Sequence, residues 1–329
     1  MSAPVPATTR EAPPTKFGFA KEVRSYYNVK PIGPRRHGVH PSALPTLCPV
    51  KFTLYEWARE AIASGDPEQA AQALALFQKI NNDPVHGVSP GGRFKGELLQ
   101  EFRAGHDIHR NIQFDLGVTG RLWGKWRCPR CKWTSPEGWM PRAYYPAKGG
   151  GQVLDAAPCV RCAGRNKRED VPWLYVEPGV SHWGYGIVGH HDGDLRVTRG
   201  EQTWRLLLEI KSINENGYLE KYGTLPKPEH VLQASVYAWL AGFSWICFIY
   251  VNKNQLHKWK EIIVPTNTEA IAEVVAKLEA VKWGRENRQL PIAARVCEDV
   301  RCQRARGCPV VYQCWGQEPP ENFWGSKKK

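Results

Sequence analysis

The sequence contains no uninterrupted run of about 18 apolar residues, the length that a helix needs to cross a bilayer. Its N-terminus, MSAPVPATTREAPPTK, is rich in proline and lacks the apolar stretch of a secretory signal peptide. The sequence also lacks the glycine-rich loop, ending in Lys and then Ser or Thr, that binds ATP phosphates. We therefore expect no membrane span and a cytoplasmic location, and any ATP-driven step must come from a partner.

Acidic residues are scarce relative to basic ones. The 329 residues include 45 Lys and Arg against 32 Asp and Glu, a formal net charge of +13, while 42% of them are hydrophobic. The excess is concentrated in residues 119–170, which hold 11 basic and 4 acidic side chains. Such a concentration is typical of a surface that meets a polyanion, most often nucleic acid. A solvated basic surface without a partner is the alternative.

The pattern of apolar and turn-forming residues divides the chain into five predicted segments. Residues 1–40 form a mobile basic arm, 41–119 a helical part, 120–177 an inserted zinc-ribbon module, 178–290 the core, and 291–329 a cysteine cluster with a basic tail. The core alternates strand pairs with helices, which predicts an α/β fold with a mixed central sheet flanked by helices. Helices are predicted over 49–63, 67–80, 92–116, 228–242 and 267–288, and strands over 185–195, 203–211, 245–252 and 257–264.

Eight of the ten cysteines fall into two clusters. The first consists of two Cys-x2-Cys knuckles, and two such knuckles supply the four sulfur ligands of a closed tetrahedral zinc site. Basic side chains alternate there with Trp123, Trp126 and Trp133, a composition that suits unpaired bases and phosphates, although the tryptophans alternatively cover the core of a small ribbon. The predicted zinc ligands are Cys128, Cys131, Cys159 and Cys162.

Acidic residues and a lysine interrupt the predicted strands of the core. Glu209 and Lys211 are two residues apart and share one face of their strand, and Asp192 on the preceding strand can reach Glu209. Two adjacent carboxylates bind a hard cation such as Mg²⁺ or Mn²⁺, and a neighbouring lysine can offset charge that develops on a phosphate. A cross-strand salt bridge is the alternative, and Asp194 competes with Asp192 as the first acid.

Two helices carry further candidate residues. His109 projects from the helix that precedes the zinc knuckles and can supply a nitrogen ligand, although a lone helical histidine is more often a satisfied core residue. Gln233 and Tyr237 are four apart and share a helix face.

Taken in order, GHDIH (105–109), GHHD (189–192), EIK (209–211) and Gln233-x3-Tyr237 resemble the RecB-type branch of the PD-(D/E)xK nuclease superfamily, over roughly residues 40–315. The resemblance implies a restriction-endonuclease-like core and a catalytic Mg²⁺ or Mn²⁺ ion. It also implies His109, Asp192, Glu209 and the Ile210 carbonyl as metal ligands, Lys211 as the catalytic lysine, and Gln233 and Tyr237 as groups that position DNA.

The last cysteine cluster has no two-residue knuckle, which argues against a second zinc ribbon, whereas iron–sulfur clusters accept irregular spacing. Relatives within this branch, the CRISPR-adaptation exonucleases and AddB nuclease domains, hold an iron–sulfur cluster with one early and three late cysteines. The resemblance therefore implies a 4Fe–4S cluster on Cys48, Cys302, Cys308 and Cys314, with Cys297 in reserve and iron versus zinc left open. Cys247 lies in an apolar strand and is predicted to be a core residue.

These observations favour a metal-dependent DNA exonuclease that acts on single-stranded or end-frayed DNA in recombination, repair or phage DNA processing. Expected partners are DNA and a helicase, recombinase or single-strand-binding protein, in a bacterial or phage-infected cell. A non-catalytic DNA-binding scaffold on a degenerate nuclease core and a site-specific endonuclease of the same superfamily are the alternatives.

Overall fold

The structure is a computed structural model that describes residues 41–64, 96–146, 152–162, 173–221, 223–302, 305, 308 and 310–316. The predicted arm over 1–40, the predicted helix over 67–80 and the final lysines lie outside the described residues. Within the described part, none of the helices combines the length and the apolar character that a membrane crossing requires.

Six α-helices and eleven strands are described. The helices are α1 (Pro49–Ser64), α2 (Gly96–Val118), α3 (Glu215–Tyr218), α4 (Pro228–Ala241), α5 (Thr268–Asn287) and α6 (Val311–Trp315). The strands are β1 (Leu122–Arg127), β2 (Gly138–Trp139), β3 (Arg142–Pro146), β4 (Gln152–Ala156), β5 (Leu174–Val176), β6 (Gly179–His182), β7 (Ile187–His190), β8 (Gly193–Arg199), β9 (Gln202–Ile213), β10 (Trp245–Asn252) and β11 (Trp259–Pro265). The strand predicted over 185–195 is thus two strands, β7 and β8.

A central sheet of seven strands organises the core. Its order is β11-β10-β9-β8-β1-β2, with β5 also paired to β1. β9 and β10 run parallel and the other pairs run antiparallel. The strand pairs β3–β4 and β6–β7 form two small separate sheets. The prediction of an α/β fold with a mixed central sheet flanked by helices is therefore confirmed.

The two faces of β9 belong to different apolar clusters because successive side chains of a strand point to opposite sides. Leu206, Leu208 and Ile210 pack in the cluster that includes Ile112 and Leu116 of α2. Leu207 packs in the other cluster, with Ala234, Tyr237 and Ala238 of α4. Glu209 and Lys211, two and four residues beyond Leu207, accordingly lie on the α4 face.

The local sequence explains where α4 begins and ends. Pro228 stands in the first turn, where the missing N–H of proline has no helical partner to lose. Gly242 ends the helix in the left-handed conformation at φ 73°, and its N–H donates to the carbonyl of Ala238. These two limits hold Gln233 and Tyr237 against β9.

The segment predicted as an insertion contributes strands β1, β2 and β5 to the central sheet. Its first strand, β1, pairs with β8 through Leu122↔Leu195 and Trp123↔Asp194. Trp126 of this strand is fully buried in the cluster on the α2 face, beside Cys128. Trp126 is consequently a core residue and offers no surface to an unpaired base.

The described residues form two compact units. One holds the residues described up to Pro45 together with Glu101–Ile271, and so contains the central sheet. The other holds the described residues of Thr46–Gln100 and Ala272–Lys329. In this second unit, Val50 and Leu54 of α1 pack against Val310 and Cys314.

Candidate metal and active site

The site lies where the pairing of β8 with β9 ends. The last pair of that ladder is Gly193↔Leu208, and the next residues on either side are Asp192 and Glu209. β9 continues beside β10, with Phe248↔Glu209 as one of its pairs. Side chains from α2 on one face and α4 on the other meet around this strand end.

The Asp192 carboxylate extends the ladder beyond its last backbone pair. Its Oδ2 accepts a 2.6 Å hydrogen bond from the Ile210 amide, and its Oδ1 lies 3.4 Å from His109 Nδ1. Burial alone would raise the pKa of Asp192, but the charge of His109 and the two hydrogen bonds lower it overall. Burial alone would lower the pKa of His109, and the Asp192 carboxylate raises it.

A third ligand candidate is Glu177, which follows β5 and which the sequence reasoning missed. Ligand atoms of His109, Glu177 and Asp192 all lie within 4.8 Å of one another. Gln113 holds this arrangement, because its Nε2 donates to Glu177 Oε1 at 3.1 Å and to the Asp192 carbonyl at 2.8 Å. The position of Gln113, four residues after His109, was the available signal; nothing local marked Glu177.

Glu209 and Lys211 form a buried pair that reaches α4. Lys211 Nζ lies 2.6 Å from Glu209 Oε1 and donates to Gln233 Oε1 at 3.0 Å. Burial raises the pKa of Glu209 to about 7, against the opposing charge of Lys211. Burial alone would lower the pKa of Lys211, but the Glu209 carboxylate raises it. Tyr237 is buried beside them, and its side chain interacts with that of Gln233.

The donor set suits a divalent cation. Burial and then the charge of Asp192 raise the pKa of Glu177, and together they outweigh the hydrogen bond from Gln113 and the charges of His109 and Arg110. Buried acids of like charge are stabilised when a cation lies between them. Carboxylate oxygens with one imidazole nitrogen are ligands that Mg²⁺ and Mn²⁺ accept.

Asp194 lies apart from this group. Its Oδ2 accepts hydrogen bonds from Arg205 Nε at 2.9 Å and from Arg196 Nη2 at 3.3 Å. The structure thus gives the two aspartates different partners: His109 and the Ile210 amide for Asp192, and two guanidinium groups for Asp194.

The four cysteines of the two knuckles form a second cluster able to bind a metal such as zinc. Cys128 Sγ and Cys162 Sγ are 3.5 Å apart, and Cys131 Sγ and Cys159 Sγ are 3.7 Å apart. A tetrahedral zinc ion, about 2.3 Å from each sulfur, places its ligands about 3.8 Å from one another. A hydrogen bond from the backbone of Trp133, then the Cys162 thiol, lowers the pKa of Cys131 to about 7, which favours its thiolate.

The remaining cysteines, apart from buried Cys247, meet in the second unit. Cys48 and Cys308 pack against the apolar cluster that contains Cys314. Burial raises the pKa of Cys297 to about 12, helped by a hydrogen bond with the side chain of Cys302 and by the charges of Cys48 and Cys308. Five thiols therefore lie near one another, including both Cys297 and Cys302.

No protein-family model matches the sequence, and no curated protein matches it. Among solved structures, one partial likeness is to an alkaline exonuclease, LHK-Exo, from Laribacter hongkongensis. It is 23% identical over 34% of this chain, which spans 57% of the exonuclease chain, with a TM-score of 0.28. Another is to the protein SSO0001, 12% identical over 81% of this chain and 88% of that chain, with a TM-score of 0.27. Because both scores are low, conclusions about function rest on the geometry of the site.

Proposed function

We propose that this protein is a metal-dependent deoxyribonuclease with a restriction-endonuclease-like core, and that it acts as an exonuclease on single-stranded or end-frayed DNA. The observation that carries the proposal is the meeting of His109, Glu177 and Asp192 with the Glu209–Lys211 pair at one strand end. A plain salt bridge within β9 accounts for Glu209 with Lys211 but not for the imidazole and two further carboxylates beside them.

Each side chain has a role that follows from its contacts. His109, Glu177, Asp192 and Glu209 would hold Mg²⁺ or Mn²⁺, together with the Ile210 carbonyl. The bound ion supplies positive charge to the phosphoryl oxygens and lowers the pKa of the attacking water.

Lys211 is charged because its pKa is raised, and it can donate to a phosphate oxygen or orient that water. Gln233 accepts a hydrogen bond from the lysine at 3.0 Å, and Tyr237, which is buried and hydrogen-bonded to Gln233, would help to position the DNA.

The cysteines have structural roles in this proposal. Zinc on Cys128, Cys131, Cys159 and Cys162 would join two loops of the segment 120–177. A 4Fe–4S cluster on Cys48, Cys302, Cys308 and Cys314 would join the two chain segments of the second unit, with Cys297 beside it. Cys48, Cys308 and Cys314 meet at one apolar cluster, which supports the cluster site. A helicase, recombinase or single-strand-binding protein would deliver the DNA.

The test compares wild type with Lys211→Ala on single-stranded DNA labelled at either end, with Mg²⁺, Mn²⁺ or no added divalent ion. We expect metal-dependent release of short products from wild type and a loss of at least about a hundredfold in the variant. Lys282→Ala, an exposed lysine of the second unit, is the matched control and should cut like wild type. If wild type binds DNA and never cuts it with either ion, the non-catalytic scaffold replaces the nuclease.

A further inference from the structure

The face of the sheet that bears Glu209 also carries a group of basic and aromatic side chains. Side chains that are directly paired across antiparallel strands point to the same side. Arg196 pairs with Arg205, and Asp194 pairs with Trp123 and with Leu207, which lies on the α4 face of β9. Trp123 in turn pairs with Trp139.

Lys125 and Arg127 alternate with Trp123 along β1 and therefore share its side. We call these residues the arginine–tryptophan face: Trp123, Lys125, Arg127, Trp139, Arg196 and Arg205.

Positive charge exceeds negative charge on this face. Asp194 Oδ2 accepts from both Arg196 and Arg205, so one carboxylate balances one of two guanidinium groups. Each guanidinium has five N–H donors, and the side chains of Arg196 and Arg205 remain 30% and 50% exposed. Lys125 and Arg127 are exposed as well, and Glu137 is the carboxylate bonded to Trp123 Nε1 at 3.2 Å. A phosphate chain supplies the acceptors and the charge that this face lacks.

The aromatic groups of the face are arranged for stacking. The Arg196 guanidinium lies 3.9 Å from the centroid of the Trp123 ring, and Trp139 meets Trp123 edge-on at 5.0 Å. Trp139 is 39% exposed. Indole faces and guanidinium planes are surfaces on which unpaired bases stack, whereas a duplex keeps its bases stacked internally.

We propose that the arginine–tryptophan face binds single-stranded DNA, with phosphates on the four cations and a base on Trp139. Arg205 precedes Glu209 by four residues on the same face of β9, which corresponds to about 13 Å along the strand. One DNA strand can therefore contact this face and the metal site together. Binding to this face does not depend on cleavage; only its role as the approach to the metal site rests on the proposed nuclease function.

The experiment measures the affinity of full-length protein for a fluorescent 20-nucleotide single strand by anisotropy at several salt concentrations. All proteins carry Lys211→Ala so that the probe stays intact. Lys125→Ala with Arg127→Ala removes two exposed cations, and Lys282→Ala is the matched control in the second unit. We expect the double variant to bind about tenfold more weakly near 0.1 M salt, with a salt slope smaller by about 1.4, because each phosphate contact to a single strand contributes about 0.7.

Two further variants separate stacking and geometry from charge. Trp139→Ala should weaken single-strand binding about tenfold and leave binding to a blunt duplex within about twofold, because only unpaired bases stack on the ring. Arg205→Lys keeps the charge beside Asp194 but loses the forked donor geometry, so the affinity should fall while the salt slope stays. Circular dichroism of each variant checks that the sheet is retained.

Affinities and salt slopes that match those of Lys282→Ala would overturn the proposal. An equal loss of duplex and single-strand binding in Trp139→Ala would overturn the assignment to single strands. These results are independent of the cleavage test. If the protein never cuts DNA but these variants bind DNA more weakly, the proposed binding face stands and the proposed nuclease function fails.

Discussion

The two ends of the β8–β9 pair hold the same kinds of charged groups in opposite proportions. At the acid end, the three carboxylates of Asp192, Glu209 and Glu177 outnumber Lys211 and His109, and burial raises the pKa of Glu209 to about 7. At the arginine end, Arg196 and Arg205 share the single carboxylate of Asp194. One end is therefore short of a cation and the other is short of an anion. A divalent cation would neutralise the excess carboxylates of the acid end, and a DNA phosphate chain would neutralise the excess arginine charge of the other end. The balance of charge around a carboxylate therefore distinguishes a catalytic aspartate from a structural one, which residue type alone does not.

The largest expected effect separates the two aspartates. Asp192→Asn should reduce the rate of DNA cleavage about a thousandfold, because it removes a charged ligand from the ion site. Asp194→Asn should keep the same cleavage rate within about threefold, since Asp194 contacts the arginines and not the ion ligands. Single-turnover cleavage with saturating Mn²⁺ measures both rates. Comparable losses in the two variants would contradict the division of the strand pair into two ends.

The zinc cluster should stabilise the sheet beyond the arginine end. Cys131→Ser removes one thiolate, and we expect the melting temperature to fall by about 10 °C through the loss of metal-linked folding energy. The reason is that Cys128, Cys159 and Cys162 pack in the cluster with Trp126 and Leu195. Differential scanning calorimetry with zinc analysis provides the measurement, and Val160→Ala, an exposed neighbour in the second knuckle, is the control. Retained zinc or an unchanged melting temperature in Cys131→Ser would argue against a structural zinc site.

The acid end should make stability fall as pH rises. Glu209 has its pKa raised from 4.5 to about 7, so the folded state holds a proton that the unfolded state has released across that interval. The free energy of unfolding should therefore decrease between about pH 4.5 and pH 7, by on the order of 3 kcal/mol from this group.

Urea unfolding without added Mg²⁺ or Mn²⁺, at pH 5, 6, 7 and 8, measures this slope. Glu209→Gln should flatten it, because the amide does not titrate. A variant that keeps the wild-type slope would show that other groups cause it.

The smallest expected effect concerns the carboxylate at the arginine end. Burial raises the pKa of Asp194 overall, although Arg205 and Arg196 act in the opposite direction. Asp194→Asn should still lower the free energy of unfolding by about 1 to 3 kcal/mol, because both arginines lose the charged acceptor of their hydrogen bonds. Glu177→Gln, at the acid end, should raise it, since burial and the charge of Asp192 disfavour the ionised Glu177. Chemical denaturation at pH 7 without added Mg²⁺ or Mn²⁺ gives both values. The same sign of change in both variants would refute the proposed contrast in charge.

The sequence predicted the helices and strands around the site more completely than it predicted which side chains contact one another there. α4 was predicted over 228–242 and extends over Pro228–Ala241, since proline and glycine mark its ends locally. Glu177 was missed because its role depends on Gln113, 64 positions away, and on the carboxylate of Asp192. The choice between Asp192 and Asp194 was left open because both can point to the same face.

The segment from 120 to 177 also shows that the sequence did not predict contacts between residues far apart in the chain. Its composition predicted an inserted module whose tryptophans either face nucleic acid or cover the core of a small ribbon, and the structure places β1 in the central sheet. The alternation along β1 then divides the tryptophans: Trp126 is buried in the core, and Trp123 lies on the arginine–tryptophan face. Composition indicated basic and aromatic character, but only the pairing with β8 assigned each side chain to a face.

By itself, the sequence determined what depends on short spacings: the shared face of Glu209 and Lys211, the two cysteine knuckles, and the helix that carries Gln233 and Tyr237. Strand and helix periodicities act over two to four residues and can be recognised without a partner. The tertiary structure alone decided which residues those faces meet: Glu177 beside His109, two arginines around Asp194, and β1 against β8. These contacts join residues distant in sequence, and they form only when strand order and register bring them together.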